Sequence, residues 1–213
     1  MIFYTQEKGG IFLGKELEYK LHVENEAALL RILEDGELRC LAISPLQETK
    51  MKTTYFDAED RRFSSRHWTL RHRQEGVRRI LCIKTPLDEP HARGEWEIEA
   101  EALNEESIGR LVDSGAPAEL LSLYVNGEVF PLCGAEFLRR HMMLRFPDGS
   151  EAELAGDHGF LHGKETATAL CELELELCSG NPDETIAFVK RLCERYGLRE
   201  MPLSKFARAR SLK

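Results

Sequence analysis

Apolar and charged positions alternate along much of this chain, and the clearest case is Cys171 to Leu177, which reads Cys-Glu-Leu-Glu-Leu-Glu-Leu. Successive side chains on a strand point to opposite faces, so Glu172, Glu174 and Glu176 share one face and Leu173, Leu175 and Leu177 the other. A lone strand of this kind belongs to an ordinary core edge, leucines inward and glutamates in water. The pattern recurs, however. A first strand over 14–23 carries Glu16, Glu18 and Lys20 on one face. The run 68–73 puts Arg71 and Arg73 together, 77–84 ends on Lys84, and 93–102 lines up Arg93, Glu95 and Glu97 opposite Trp96 and Ile98. A strand over 137–146 carries Arg139 and Arg145, and 150–154 follows the Pro147-Asp148-Gly149 turn. Strands that each have a charged face, of both signs, predict that those faces look at one another across an enclosed polar space.

Helical spacing and caps predict helices at 25–36, closed by Gly36, at 104–113, as a short piece at 117–124, and at 181–197 between Asn181-Pro182 and Gly197. Two strands are expected between Glu37 and Asp57, a polar connection at 60–65, and the segment 203–210 as a basic tail ordered through Phe206. The count is roughly eight strands with three or four helices. At 213 residues the chain fits one domain, 1–213, with 1–13 as a lead-in segment.

Charge narrows the function classes. A formal net charge of -8 argues against nonspecific nucleic-acid binding, which depends on positive surface to release counterions. A local group of arginines can still oppose the global sign. The six cysteines form no C-x-x-C pair, which speaks against a zinc ribbon and for a reducing, cytoplasmic setting. No stretch approaches the length of an apolar membrane span, and the first residues do not resemble a secretion signal.

If the first and last strands are neighbours, Glu16, Glu18, Glu172 and Glu174 gather in one region. Like charges at short range resist ionisation. A hard divalent cation relieves that cost, and oxygen-only ligation favours Mg²⁺ or Mn²⁺ over zinc. Lys20, Arg71, Arg73, Lys84, Arg93, Arg139 and Lys205 form the opposite array, with arginine forks suited to phosphate oxygens. Together they describe a site for a polyphosphate chain with metal at one end. The competing reading is a β-sandwich with charged outer faces.

Glu16-Leu17-Glu18-Tyr19-Lys20 resembles the E-x-E-x-K signature of CYTH-domain proteins, the triphosphate tunnel metalloenzymes, which include inorganic triphosphatases, thiamine triphosphatases and class IV adenylate cyclases. Leu70-Arg71-His72-Arg73, Lys84, Arg93-Gly94-Glu95-Trp96-Glu97, Arg139, Asp157-His158-Gly159, Cys171 to Leu177 and Leu203-Ser204-Lys205 follow in the family's order, closest to the bacterial inorganic triphosphatases. The resemblance implies an α+β fold: an eight-stranded antiparallel closed β-barrel, a tunnel, with flanking helices. It implies hydrolysis of inorganic triphosphate to diphosphate and phosphate by metal-activated water. The metal ligands would be Glu18, Glu172 and Glu174, joined at a second site by Glu16, Glu95, Glu97 and Asp157. Glu16 would orient or deprotonate the water, Lys20 and Lys205 would steady the reacting end, and Arg71, Arg73, Lys84, Arg93 and Arg139 would grip the phosphates. A small organic triphosphate, cyclisation of ATP, a noncatalytic polyphosphate-binding module and a homodimer remain alternatives at this stage.

Overall fold

The computed structural model describes residues 11–13, 17–86, 93–125 and 127–212. Their strands are β1 (Ile11–Leu13), β2 (Glu18–His22), β3 (Gln47–Ala58), β4 (Thr69–Glu75), β5 (Arg78–Pro86), β6 (Arg93–Glu99), β7 (Val129–Arg145), β8 (Glu151–His162), β9 (Ala167–Ser179) and β10 (Arg199–Glu200). All pair antiparallel in one sheet of order β1-β6-β5-β4-β3-β7-β8-β9-β2-β10.

The sheet is not the closed eight-stranded barrel expected from the family resemblance. Among the described residues, ten strands form an open order, and no pairing joins the β1 edge to the β10 edge. The local cause is visible on β2. Its outer hydrogen-bonding edge is taken by β10, through Arg199 opposite His22 and Glu200 opposite Leu21, and by the Met201 N–H, which donates to the Lys20 carbonyl at 2.7 Å. A strand closing the ring from the β6 side would need that edge.

The sheet is nevertheless strongly curled. Neighbouring strands lie about 4.8 Å apart, so β6 and β9, six positions apart in the order, would stand nearly 30 Å apart in a flat sheet. Instead Lys84 of β5, Glu95 of β6 and Glu176 of β9 line the same cavity.

Curling turns the usual inside and outside around. The apolar faces of the strands point outward and are covered by helices. Against β2, β7, β8 and β9 pack α1 (Glu26–Leu33), α2 (Gly36–Leu41) and α5 (Pro182–Tyr196), α2 lying on β7, and together they bury Leu21, Leu29, Ile32, Leu154, Leu173, Leu175 and Phe188. On β4 to β6 lie α3 (Glu105–Asp113) and α4 (Glu119–Leu123), with Leu70, Leu81, Ile83, Trp96, Ile108 and Leu120. Leu173 and Leu175 are 0% and 1% exposed, yet Glu172 and Glu174 on the other face are 0% and 6% exposed. Both faces of β9 are therefore buried, which an ordinary core-edge strand does not show. Inside the curl, Met51, Tyr55, Ala135 and Phe137 meet Ala209 and Phe206 of α6 (Lys205–Ser211), so this last helix seats inside the sheet.

Several local expectations are corrected. Gly36 does not stop the first helix; it opens α2, because the Asp35 side chain accepts from the Glu37 N–H at 2.7 Å and caps a new helix where a strand was expected. Asp157 and Gly159 lie within β8, which runs to His162 rather than ending at Leu154. The tail is the helix α6, with the Ser204 side chain accepting from the Ala207 N–H at 3.1 Å. The lead-in includes β1, paired with β6. Among the described residues no helix is long and apolar enough to cross a membrane.

Candidate functional site

The interior face of the curl encloses a cavity of about 570 Å³. Side-chain parity puts the charged residues there, and strand register then sets which of them meet. Arg71 stands opposite Cys82, Cys82 opposite Glu97, and Lys84 opposite Glu95. On the other wall Lys20 stands opposite Glu174, Glu18 opposite Glu176, and Asp157 between Arg139 and Glu172.

One wall presents the cations Arg71, Arg73 and Lys84, each paired with a neighbouring carboxylate. Arg71 Nη2 donates to Glu95 Oε1 at 2.8 Å and to Glu97 Oε1 at 3.1 Å, Arg73 Nη2 reaches Glu97 Oε1 at 3.3 Å, and Lys84 Nζ lies 2.8 Å from Glu95 Oε2. Burial would lower the Arg71 guanidinium, but the neighbouring Cys82, Glu95 and Glu97 hold it well above its ordinary pKa. The Nε atoms of Arg71 and Arg73 are buried without a hydrogen-bond partner among the described residues. An unpaired buried donor is costly, and an incoming anion can use it.

The opposite wall is rich in carboxylates and already holds several cationic groups. The Lys205 ammonium lies 2.7 Å from Asp157 Oδ2 and 2.8 Å from Glu174 Oε1, and also pairs with Glu172. Arg139 donates to both oxygens of Asp157 at 2.8 and 2.7 Å and to Glu174 Oε2 at 2.5 Å, and Arg208 pairs with Glu172. Burial alone would raise the Glu174 carboxyl, but Lys205, Arg139 and Lys20 hold it well below the usual range. The same carboxylates keep the Lys205 ammonium above its ordinary value in spite of burial.

Closer to the open space, burial and the Glu174 charge raise Glu18 against the pull of Lys20 and Lys84. Burial pushes the Glu176 carboxyl up to about 7, with Glu18 adding repulsion. These groups carry more negative charge than their surroundings balance.

Of the residues expected from sequence, Glu18, Lys20, Arg71, Arg73, Lys84, Glu95, Glu97, Arg139, Glu174 and Lys205 line the cavity. Asp157 and Glu172 are fully buried behind it, bound to Lys205, Arg139 and Arg208. Glu16 lies outside the described residues, and Arg93 is placed in β6 opposite Pro86 without a described side chain. Sequence reasoning left out Glu176, Glu153, Glu75, Tyr55 and Phe137, all of which line the cavity. Parity with Glu174 was the available signal for Glu176, and parity with Asp157 for Glu153.

A family comparison matches residues 14–209 to the CYTH domain. The chain belongs to the CYTH domain family. Solved structures similar to this CYTH domain include HpAC1 of Hippeastrum, a candidate adenylyl cyclase with a dominant triphosphatase activity. It is 19% identical, with 92% of this chain and 95% of that chain covered and a TM-score of 0.62. A candidate adenylate cyclase of Bacillus halodurans is 14% identical over 92% and 95% of the two chains, with a TM-score of 0.57. The PH1819 protein of Pyrococcus horikoshii is 14% identical over 90% and 96%, with a TM-score of 0.53. At these identities the likeness establishes a shared CYTH fold.

Proposed function

We propose that this CYTH domain hydrolyses inorganic triphosphate to diphosphate and phosphate with the help of Mg²⁺ or Mn²⁺, in the cytoplasm. The observation that carries the reading is the opposition of the two walls: Arg71, Arg73 and Lys84 face Glu18, Glu174 and Glu176 across one cavity. A phosphate chain satisfies the first wall and a divalent cation the second. Membership of the CYTH family supports the same chemistry.

The residues fit a divalent cation. The donors are oxygens, suited to a hard ion. The Asp157, Glu172 and Glu174 carboxylates lie close enough to share one ion and already surround the Lys205 ammonium, which stands in for a cation. Glu18, Glu174 and Glu176 would hold the ion from the cavity side, with Glu16 joining them on the sequence pattern. When bound, Mg²⁺ or Mn²⁺ neutralises phosphate oxygens as a Lewis acid.

Arg71, Arg73, Lys84 and Arg139 bind and orient the phosphates, and Lys20 and Lys205 steady the end that reacts. Glu16 is assigned the proton of the attacking water. Phosphoryl transfer calls for little beyond positioning and charge neutralisation, so no covalent nucleophile is invoked.

The aromatic lining favours an inorganic substrate over a nucleotide. Tyr55 and Phe206 pack with ring centres 5.1 Å apart and planes tilted by 43°, and Phe137 carries Lys205 and Arg139 at 5.2 and 5.8 Å from its ring centre. These rings are engaged within the protein, not presented to a base.

The test is product analysis with inorganic triphosphate, thiamine triphosphate and ATP, each with Mg²⁺ and with Mn²⁺. Phosphate and diphosphate released fastest from inorganic triphosphate is the expected result. Cyclic AMP from ATP, or tight triphosphate binding without turnover, overturns the proposal.

A further inference from the structure

Glu95 is the meeting point of the cationic wall. Its side chain is 2% exposed; Oε1 accepts from Arg71 Nη2 at 2.8 Å and from Cys82 Sγ at 3.1 Å, while Oε2 lies 2.8 Å from Lys84 Nζ. Cys82 is 0% exposed and sits between Arg71 and Glu97 in the register, on the interior face but beneath the cavity lining. The two cations that Glu95 touches are drawn from different strands, so a single carboxylate ties β4 and β5 to β6 at the point where both present charge.

We infer that Glu95 and Cys82 are positioning residues for the phosphate-binding cations: the carboxylate fixes the direction in which Arg71 and Lys84 face the cavity, and the thiol fixes the carboxylate. The inference rests on the proposed triphosphate chemistry and deepens it. Lysine and arginine side chains have many rotamers, and holding them before the ligand arrives removes that ordering cost from binding. Burial pushes the Cys82 thiol well above its ordinary pKa, so it keeps its proton and donates. A rival arrangement exists, because Cys82, Glu95 and Glu97 offer ligand atoms within 4.8 Å of one another and could hold a metal ion. Against it, one of the three ligand atoms is the sulfur of a thiol that keeps its proton, a poor donor for a hard divalent ion.

The experiment measures, by calorimetry on the full chain, inorganic triphosphate binding in EDTA and Mn²⁺ binding without triphosphate. The variants are Glu95→Gln, Cys82→Ala and Cys82→Ser. In Glu95→Gln an amide N–H₂ replaces an oxygen facing Arg71 or Lys84, and triphosphate binding is expected to weaken by about tenfold, the scale of one hydrogen bond to a charged group. Cys82→Ala is expected to weaken it by about threefold and Cys82→Ser, which keeps a donor, to recover most of that loss; Mn²⁺ affinity stays unchanged throughout. If Glu95→Gln does not fold, the Ala and Ser pair decides. Triphosphate affinity that is unchanged or tighter in the variants overturns the inference, since removing a negative charge would then act only through electrostatics. Loss of Mn²⁺ affinity overturns it in favour of the metal arrangement. Wild-type protein that binds no triphosphate sinks the proposed function and this inference with it, whereas normal wild-type binding with unmoved variants sinks the inference alone.

Discussion

Glu18 and Glu176 are direct cross-strand partners on β2 and β9, and Glu153 stands opposite Glu176 on β8, so three carboxylates cross three strands in one line. Like charges directly opposite each other are destabilising in a sheet. Glu18 is relieved by Lys20, and Glu153 approaches Arg139 and His141, but no ion pair reaches Glu176 among the described residues.

That row makes the fold sensitive to pH at one residue. The Glu176 carboxyl titrates near 7 when folded against an ordinary value of 4.5, raised by burial first and by Glu18 next. Between those values the folded chain holds a proton that the unfolded chain has lost, so stability falls as pH rises from about 4.5 to about 7 and stays reduced above it. Glu176→Gln is expected to remove this slope and to stabilise the protein at pH 8 by on the order of 2 kcal/mol, with little effect at pH 4.5. Urea denaturation at the two pH values checks it; equal effects at both would show that ionisation of Glu176 is not the cause.

Lys205 is the converse case, a buried cation among three buried carboxylates. Removing one partner of a buried ion cluster costs about 3–5 kcal/mol, and Lys205→Met is expected to lose that much at pH 7. The depressed Glu174 contributes stability above 4.5 that is lost on acidification, and the raised Lys205 contributes stability that is lost only as pH climbs past 10.5. The difference between wild type and variant is therefore widest from about pH 5 to 10. Mn²⁺ should recover part of the loss, because an ion can take the place of the ammonium. A melting temperature that ignores Mn²⁺ in the variant would count against the carboxylates as cation ligands.

The proposed hydrolysis rests on the anionic wall, where Glu174 also contributes to stability through Lys205 and Arg139. Glu18→Gln and Glu174→Gln are each expected to reduce phosphate release from inorganic triphosphate by at least about a hundredfold, a loss comparable to removing one preorganised charge from an active site. Circular dichroism should show both variants folded. Near-normal hydrolysis in both would remove these two glutamates from the mechanism.

The charged lining was legible in the sequence because parity is a local property. Arg71 with Arg73, or Glu172 with Glu174, share a face in any strand, whatever its neighbours. Closure was not legible, because it depends on which segment reaches the edge of β2, and the two-residue β10 that occupies it carries no periodic signal. Helix α2 was hidden for a related reason. Gly36 follows a helix and reads as its stop, and only the Asp35 side chain folding back on Glu37 and Leu38 converts it into a start. Glu95 and Glu97 were visible as carboxylates on the right face, but their ties to Arg71, Arg73 and Lys84 follow from curvature and register, which no single strand records.

Gly159 shows how tightly the anionic wall is built and gives the last prediction. It faces Phe137 across β7 and β8, and a Cβ at this position would lie 2.2 Å from the Glu136 carbonyl oxygen and 2.5 Å from Phe137 Cα. Those neighbours are backbone and cannot swing aside, so the two strands must separate. Two residues away, Asp157 aligns with Arg139, whose guanidinium, like the Lys205 ammonium, sits over the Phe137 ring. Gly159→Ala is expected to destabilise the protein by about 3 kcal/mol or more, the scale of an overpacked core. It should also weaken metal-free triphosphate binding, because Arg139 and Lys205 move with Phe137. Denaturant unfolding and calorimetry on the same sample check both parts, and a variant with wild-type stability would mean that β7 and β8 have room the structure does not show.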